Sequence, residues 1–592
     1  MSRLLCTTAL EETWSDDEPV LFLGEWCRRY TRKDRWSKMD AEVMPYHWDD
    51  RAQLHADYEC LQELHERLLQ ELAADLNKIH GVDHGLRYWR ILVGPWLGYF
   101  VQMLFDRWAN IQCAIRHYDL SETVVLFGGD DTLIPNDMAA FPRLFVGDEW
   151  NHHIYGALLQ KFTQVPCSKR PVMRRMSSPP PHAAWRRQAN HTIVRWYSRV
   201  ASALARERDA FFLMTYLPLF DELRVQRSLG QAPQRWHPVS TIRTAVDGTW
   251  RHWIVAGENR SQFEVCARAL IPAQIPVVYL EGYRQLVEQT ADLPWPKKPK
   301  VIWTSNSHNS DDVFKAWAAD KAEHGSPLVI GQHGGHYGVG QWSFTEDHDI
   351  AISDCYFSWG WSDRRRSNVR PVGQLKAKRP LEIRHSAQPR ALMVECSVPR
   401  FSYWMYSSSV SRQWLDYFSD QCEFVAHLPR PIRDALIVRL YPQDFGWDQV
   451  ARWRDRFPDL QVNQGESNID DLIRQSRLYI STYNATTFLE SFTRDVPSVV
   501  YWNPNHWELR ESAERYFAEL RRVGIFHETP ESAAQHVTKI WGDVDAWWQS
   551  APVRDVLDRF KQRYCHLPID LAGCVTQAIR EVMIAADQTY GP

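Results

Sequence analysis

The chain has 592 residues, 44% of them hydrophobic and 24% charged, a balance that excludes a disordered protein or a single small core and calls for two or three domains. A net charge of −4, from 69 basic and 73 acidic residues, leaves no overall basic field for nucleic acid. The 11 cysteines, scattered from Cys6 to Cys574 without a CxxC pair, read as free thiols in a reducing compartment and argue against structural zinc.

The first thirteen residues carry Glu11 and Glu12 and no long apolar stretch, so no signal peptide is expected. Val20–Gly24 reads as a short buried strand ending in a turn. Residues 49–79 repeat Leu, Glu and His at helical spacing, which predicts a long helix. A second, largely apolar helix is expected over 88–116, bent at Pro95. Its most apolar part, Ile91–Phe105, falls short of the roughly 18 residues that a membrane span needs and reads as a buried helix. Val124–Phe127 suits another strand.

Between about 150 and 260 the periodicity weakens. The run Ser177–Pro181 reads as a loop flanked by Lys169, Arg170, Arg174, Arg175, Arg186 and Arg187, a solvated segment or a patch for anionic lipid or an anionic acceptor. From residue 293 the text becomes regular. Strands are expected at 301–305, 327–332 and 349–353, with a helix at 311–323. Residues 364–388 read as a polar crossover. A second series follows, with strands at 391–396, 436–440, 460–463, 478–481 and 498–502 separated by helices at 411–418, 448–456, 469–476 and 486–493 and followed by helix from 506. The expected fold class is therefore α/β, with two Rossmann-like lobes and a helical N-terminal elaboration. The lobes divide as 1–380 on the acceptor side and 381–592 on the nucleotide-donor side. Ligands in such sheets bind beyond the carboxyl ends of strands.

Four strand ends carry candidate chemistry. After 301–305 come Ser305, Asn306, Ser307, His308 and Asn309, with Ser310 or Asp311 as a helix cap. After 327–332 come Gln332, His333, Gly334 and Gly335, where paired glycines admit a ligand to the backbone and His333 can exchange a proton or donate to a phosphate or carboxylate. No third ligand is visible to accompany His333 and His336 on a metal, so no metal is expected. Arg439 ends an apolar strand and suits an anion, or an acid partner nearby. After 478–481, the turn Thr482, Tyr483, Asn484, Ala485, Thr486, Thr487 opens a helix bearing Glu490, the pattern of an anion site at a helix N-terminus with a carboxylate one turn on.

The strings LEETW at 10–14, LFLGEWC at 21–27, IGQHGGHYG at 330–338, RLYPQDFGW at 439–447 and TYNATTFLE at 482–490 resemble the transferases encoded in bacterial O-antigen gene clusters. Segment 436–502 is also similar in layout to the C-terminal lobe of capsule Kdo transferases and CDP-glycerol glycerophosphotransferases, departing from them at Tyr441, where they carry His before Pro. The resemblance implies a GT-B glycosyltransferase without a metal or bound cofactor. It carries over Arg439, Thr486 and Thr487 as donor-binding positions and Glu490 on the helix; with the strand-end residues above, the expected catalytic residues are His333, Glu490 and His308, and the donor-binding ones Arg439, Tyr483, Asn484, Thr486, Thr487, Gly334 and Gly335. Substrate positioning falls to Ser305, Asn306 and Gln332. The expected partners are a nucleotide-activated sugar, CMP- or CDP-linked, and a surface-polysaccharide or lipid-linked glycan acceptor. The expected setting is the cytoplasm, with peripheral contact at the inner membrane face. The alternatives are transfer of a polyol phosphate from a CDP-linked donor, and a non-catalytic nucleotide- or glycan-binding assembly protein.

Overall fold

The computed structural model describes residues 2–172, 205–376 and 390–590, and arranges them around three parallel β-sheets. Strands β1 (Arg3–Cys6), β2 (Val20–Phe22), β3 (Ala41–Val43), β4 (Leu120–Phe127) and β5 (Cys167–Pro171) form the first, in the order β3-β2-β1-β4-β5. The second runs β10-β9-β8-β7-β6, from β6 (Phe211–Leu213), β7 (Ile302–Thr304), β8 (Leu328–Gly331), β9 (Cys355–Ser358) and β10 (Val369–Pro371). The third runs β13-β12-β11-β14-β15-β16, from β11 (Ala391–Val394), β12 (Leu436–Arg439), β13 (Gln461–Asn463), β14 (Leu478–Ser481), β15 (Ser498–Tyr501) and β16 (Phe526–His527). Strands such as β7, β8, β11 and β14 are buried at every residue, because helices cover both faces of a parallel sheet.

The class is α/β, as the alternation implied. The stretch 1–380, however, holds two five-stranded sheets, so the helices expected near the N-terminus accompany a sheet of their own. Those helices are Arg51–His80, capped by Asp50, and the pair Leu86–Leu92 and Gly94–His117, which break at Val93 just before Pro95. The apolar run Ile91–Phe105 lies almost wholly inside, and no helix among the described residues is long and apolar enough to cross a membrane. The largest fully buried side chains are all tryptophans, Trp96, Trp303 and Trp453 among them, so here the residue chiefly fills space.

One expected strand is a helix. Residues 349–353 end the helix Phe344–Ile352, and the strand comes next, as β9. Ser343 caps it, its hydroxyl accepting from Glu346 N–H; Ser343 and Glu346 have the spacing of a capping box that the apolar run Ile350–Ile352 obscured. The crossover 364–388 contains β10, and its residues 377–389 lie outside the described residues, as do Ser177–Pro181, Arg174, Arg175, Arg186 and Arg187. Lys169 and Arg170 sit on β5.

Polar ties join the first sheet's segment to the third's. Arg51 grips Glu508 at 2.7 and 2.8 Å, Arg400 meets Asp148 at 2.6 Å, and Arg29 meets Asp448 at 3.0 Å. One continuous apolar core runs from Leu4 through the second sheet to Ile579.

Candidate functional site

The third sheet has the doubly wound order in which strand succession reverses between its first strand, β11, and its fourth, β14. Such reversals open a crevice at the carboxyl ends of the two strands. The turn 482–487 leaves β14 at that point, and Thr482 Oγ1 donates to Val394 O of β11 at 2.9 Å. The following helix, Thr486–Thr493, starts from Ala485, which supplies no side-chain cap. Its first-turn N–H groups are therefore open to a ligand. Asn484 beside it is 5% exposed, and neither its amide oxygen nor its amide nitrogen has a partner.

The glycine pair of the second sheet meets this turn directly. Gly335 N–H donates to Thr486 Oγ1 at 3.1 Å across 151 residues of sequence. A Cβ on Gly335 would lie 2.5 Å from Ala485 O and 2.8 Å from Thr486 Cα, so only glycine permits the approach. Gly334 is held from behind: Gln332 Nε2 donates to Gly334 O at 2.8 Å, while Gln332 Oε1 accepts from Trp359 N and Trp361 Nε1. Gln332 is wholly buried with its amide spent on this turn, so its influence on a substrate runs through Gly334.

Below the glycines, the short helix Ser307–Ser310 and the helix Phe344–Ile352 bring two histidines onto one carboxylate. His308 Nε2–H donates to Asp349 Oδ1 at 2.7 Å, and both side chains are buried. His333 Nδ1 stands 3.8 Å from Asp349 Oδ2. Tyr337 O–H donates to Thr345 Oγ1 at 2.7 Å and lies 3.2 Å from His333 Nε2. His333 Nδ1 and Asp349 Oδ2 thus face each other, both buried and neither with a hydrogen-bond partner. The ligand atoms of His308, His333 and Asp349 all lie within 4.8 Å of one another, a grouping that could hold a metal ion; it includes His333 but not His336, and Asp349 was not marked in the sequence. Burial pushes His333 down to about 4 against the pull of Asp349, and pushes His336 to about 3.

Ser305 is also fully buried. Its N–H donates to Met214 O and its hydroxyl to Thr215 O, both at 3.0 Å, fastening a loop in which Met214 and Tyr216 hold left-handed backbone at φ 53° and 67°. Asn306 is half-exposed and lines a neighbouring cleft. Asp311, not Ser310, caps the next helix. Lys376, from the segment read as a crossover, donates to His333 O at 2.7 Å and lies 4.3 Å over the Tyr216 ring.

On the third sheet Arg439 donates to Ser467 O at 3.2 Å, its Nε is unpartnered, and it forms no ion pair among the described residues. Thr487 Oγ1 donates to Tyr483 OH at 3.3 Å. Glu490 is half-buried one turn into the helix; burial and its charge together hold the Tyr479 hydroxyl protonated. Glu395, just beyond β11, went unmarked in the sequence: it is 1% exposed, one oxygen lacks a partner, and burial raises it to about 8.

A protein built of parallel sheets that meet at their strand ends, with a helix N-terminus on one and a histidine–carboxylate cluster on the other, has the layout of an α/β enzyme. The chain belongs to the LIC12162 family of transferases, which matches it over residues 3–577. None of the curated proteins matches it in sequence. Among solved structures it is similar to MurG of Acinetobacter baumannii at 12% identity, covering 51% of this chain and 78% of that one with a TM-score of 0.31. It is similar to the UDP-forming α,α-trehalose-phosphate synthase of Burkholderia vietnamiensis at 12% identity, covering 56% and 79% with a TM-score of 0.32. The wall teichoic acid polymerase TagF follows at 10% identity, covering 51% and 85% with a TM-score of 0.26.

Proposed function

We propose that this transferase is a glycosyltransferase, moving a sugar from a nucleotide-activated donor to a glycan acceptor of the cell surface. The observation that carries the reading is the bond from Gly335 to Thr486, which joins the strand ends of two sheets at an uncapped helix start. Donor phosphate would lie on the N–H groups of Thr486 and Thr487, with Arg439 drawing off the charge that develops as the nucleotide leaves. Glu490 and Asn484 would accept and donate to ribose or sugar hydroxyls. His333, kept neutral by burial, would receive the acceptor proton, and Asp349 would stabilise the imidazolium as it forms. His308, too deep to touch substrate, would hold Asp349 in place. Burial on both sides of the junction would keep water from the donor.

Further details belong to the same proposal: a CMP- or CDP-linked donor, a surface-polysaccharide or lipid-linked acceptor, and work at the cytoplasmic face of the inner membrane. The test is a thermal-shift series with CMP, CDP, UDP, GDP and dTDP. At a ligand concentration a hundredfold above Kd, binding stabilises by about 2.7 kcal/mol. One nucleotide should raise Tm in the parent protein and fail to do so in Arg439→Ala. The absence of any shift would remove the donor site from the turn 482–487.

A further inference from the structure

A cavity opens beside the histidine cluster, at the strand ends on the β6–β7 edge of the second sheet. It holds about 610 Å³, within the usual range for small-molecule sites. Its floor is the strand-end loop Asn306–Asp312 with Met214, and its walls come from residues 131–143 and from 238–246, the latter in the stretch where the periodicity weakens. The left-handed backbone at Met214 turns that residue into the lining.

The chemistry of the walls is balanced. Asp312 and Asp137 are spent internally: Asp312 accepts from Met138 N at 2.7 Å and meets Lys315 at 2.7 Å, and Asp137 accepts from Ala140 N at 2.7 Å and from Thr241. Asp131, Asp137 and Asp311 line the same cleft as Arg143 and Arg243, Asp312 being offset by Lys315, and among the described residues neither arginine forms an ion pair. Asp311 uses Oδ1 to cap Phe314 N at 3.0 Å, while its Oδ2 is buried without a partner. Burial raises Asp311 to about 7, so near neutrality it can both accept from and donate to a hydroxyl. Val239, Val246 and Val277 add apolar surface between these groups. With Asp312 offset by Lys315 and Asp311 raised by burial, Asp131 and Asp137 stand against Arg143 and Arg243; this near-balance, set among apolar patches, suits a ligand that is uncharged, rich in hydroxyls and apolar on its ring faces.

We infer that this cleft is the acceptor subsite, binding a neutral oligosaccharide with one hydroxyl donated to Asp311 Oδ2. The inference rests on the glycosyltransferase reading and assigns residues 131–143 and 238–246 to acceptor selection.

The probe is a microarray of immobilised neutral and uronic-acid-containing oligosaccharides of three or more residues, read with the full-length protein. Neutral members should be bound, and the signal should fall at least tenfold in Asp311→Asn and in Arg143→Ala. Asparagine still caps a helix, so Asp311→Asn keeps the fold, and Arg143 is exposed. Arg439→Ala should retain the glycan signal while losing the nucleotide shift. No glycan binding by the parent protein, binding confined to acidic members, or a signal unchanged in both variants would overturn the inference, even with nucleotide binding intact. No nucleotide shift in the parent protein, with its glycan binding kept, would instead count against the donor site.

Discussion

Gly335 has no room for a side chain, because backbone atoms rather than flexible side-chain tips stand 2.5 to 2.8 Å from where its Cβ would be. Gly335→Ala should therefore push the two sheets apart locally, costing about 1–3 kcal/mol as overpacking does. Transfer should fall at least tenfold, read as kcat/KM beside Tm. His333→Ala should lower kcat about a hundredfold or more, the scale of a missing general base, while leaving the nucleotide shift intact. A base must be unprotonated to act, and burial takes His333 from the ordinary histidine range to about 4. The acid limb of kcat/KM should then lie near pH 4 to 5, with a level rate from pH 7.5 to 5. A limb at 6.5 would assign the proton to another group.

The helix Phe344–Ile352 serves two ends at once. Asp349 faces the histidines, and Glu346, three residues earlier on the same side, is buried and accepts from Arg510 at 2.7 Å and from Gly338 N at 2.7 Å, with Arg366 at 3.7 Å. The helix thereby fixes both the loop after the glycines and the approach of Glu511–Arg522 from the third sheet. Glu346→Ala would leave the Arg510 guanidinium without its buried partner, Arg366 keeping Asp347, and a loss of about 3 kcal/mol is expected in denaturant melts. The same helix decides whether the cluster works with protons or with a metal. Under the proton reading, dialysis against EDTA leaves transfer unchanged. Loss of transfer restored by added zinc would make His308, His333 and Asp349 ligands.

Over the whole molecule, burial sets the pH range of stability. His80, His152, His333, His506 and His536 are lowered to about 4 and His336 to about 3, all by burial. A depressed histidine contributes stability above its unfolded value near 6.5, and that contribution is lost as pH falls toward 4. Asp311 and Asp420 are raised to about 7 and Glu395 to about 8; their contributions are complete at low pH and are lost as pH rises through those values. The histidines outnumber the acids. Calorimetry should show Tm highest near pH 6.5, falling toward 4.5 and more gently toward 8. Glu395→Gln should flatten the alkaline side, since it removes the acid with the highest value.

Local pattern was enough for the alternation of apolar runs and helices after residue 293, for the glycine pair and for the turn 482–487, because strand burial, cap chemistry and turn residues act within a few positions of one another. It was not enough for Asp349, concealed in a run that looked like a strand, nor for Lys376 inside a polar crossover or Glu395 at a strand end. It disclosed only part of the first sheet: the strands at 20–24 and 124–127 were legible, but β1, β5 and the half-exposed three-residue β3 carried no strong periodicity. The sequence by itself determined the class of fold and most of the polar groups at the strand ends. Only the tertiary structure decided which of them meet. Gly335 and Thr486, or His308 and Asp349, come together through the packing of whole sheets and helices, and a contact made across 151 or 41 residues leaves no mark on the residues beside it.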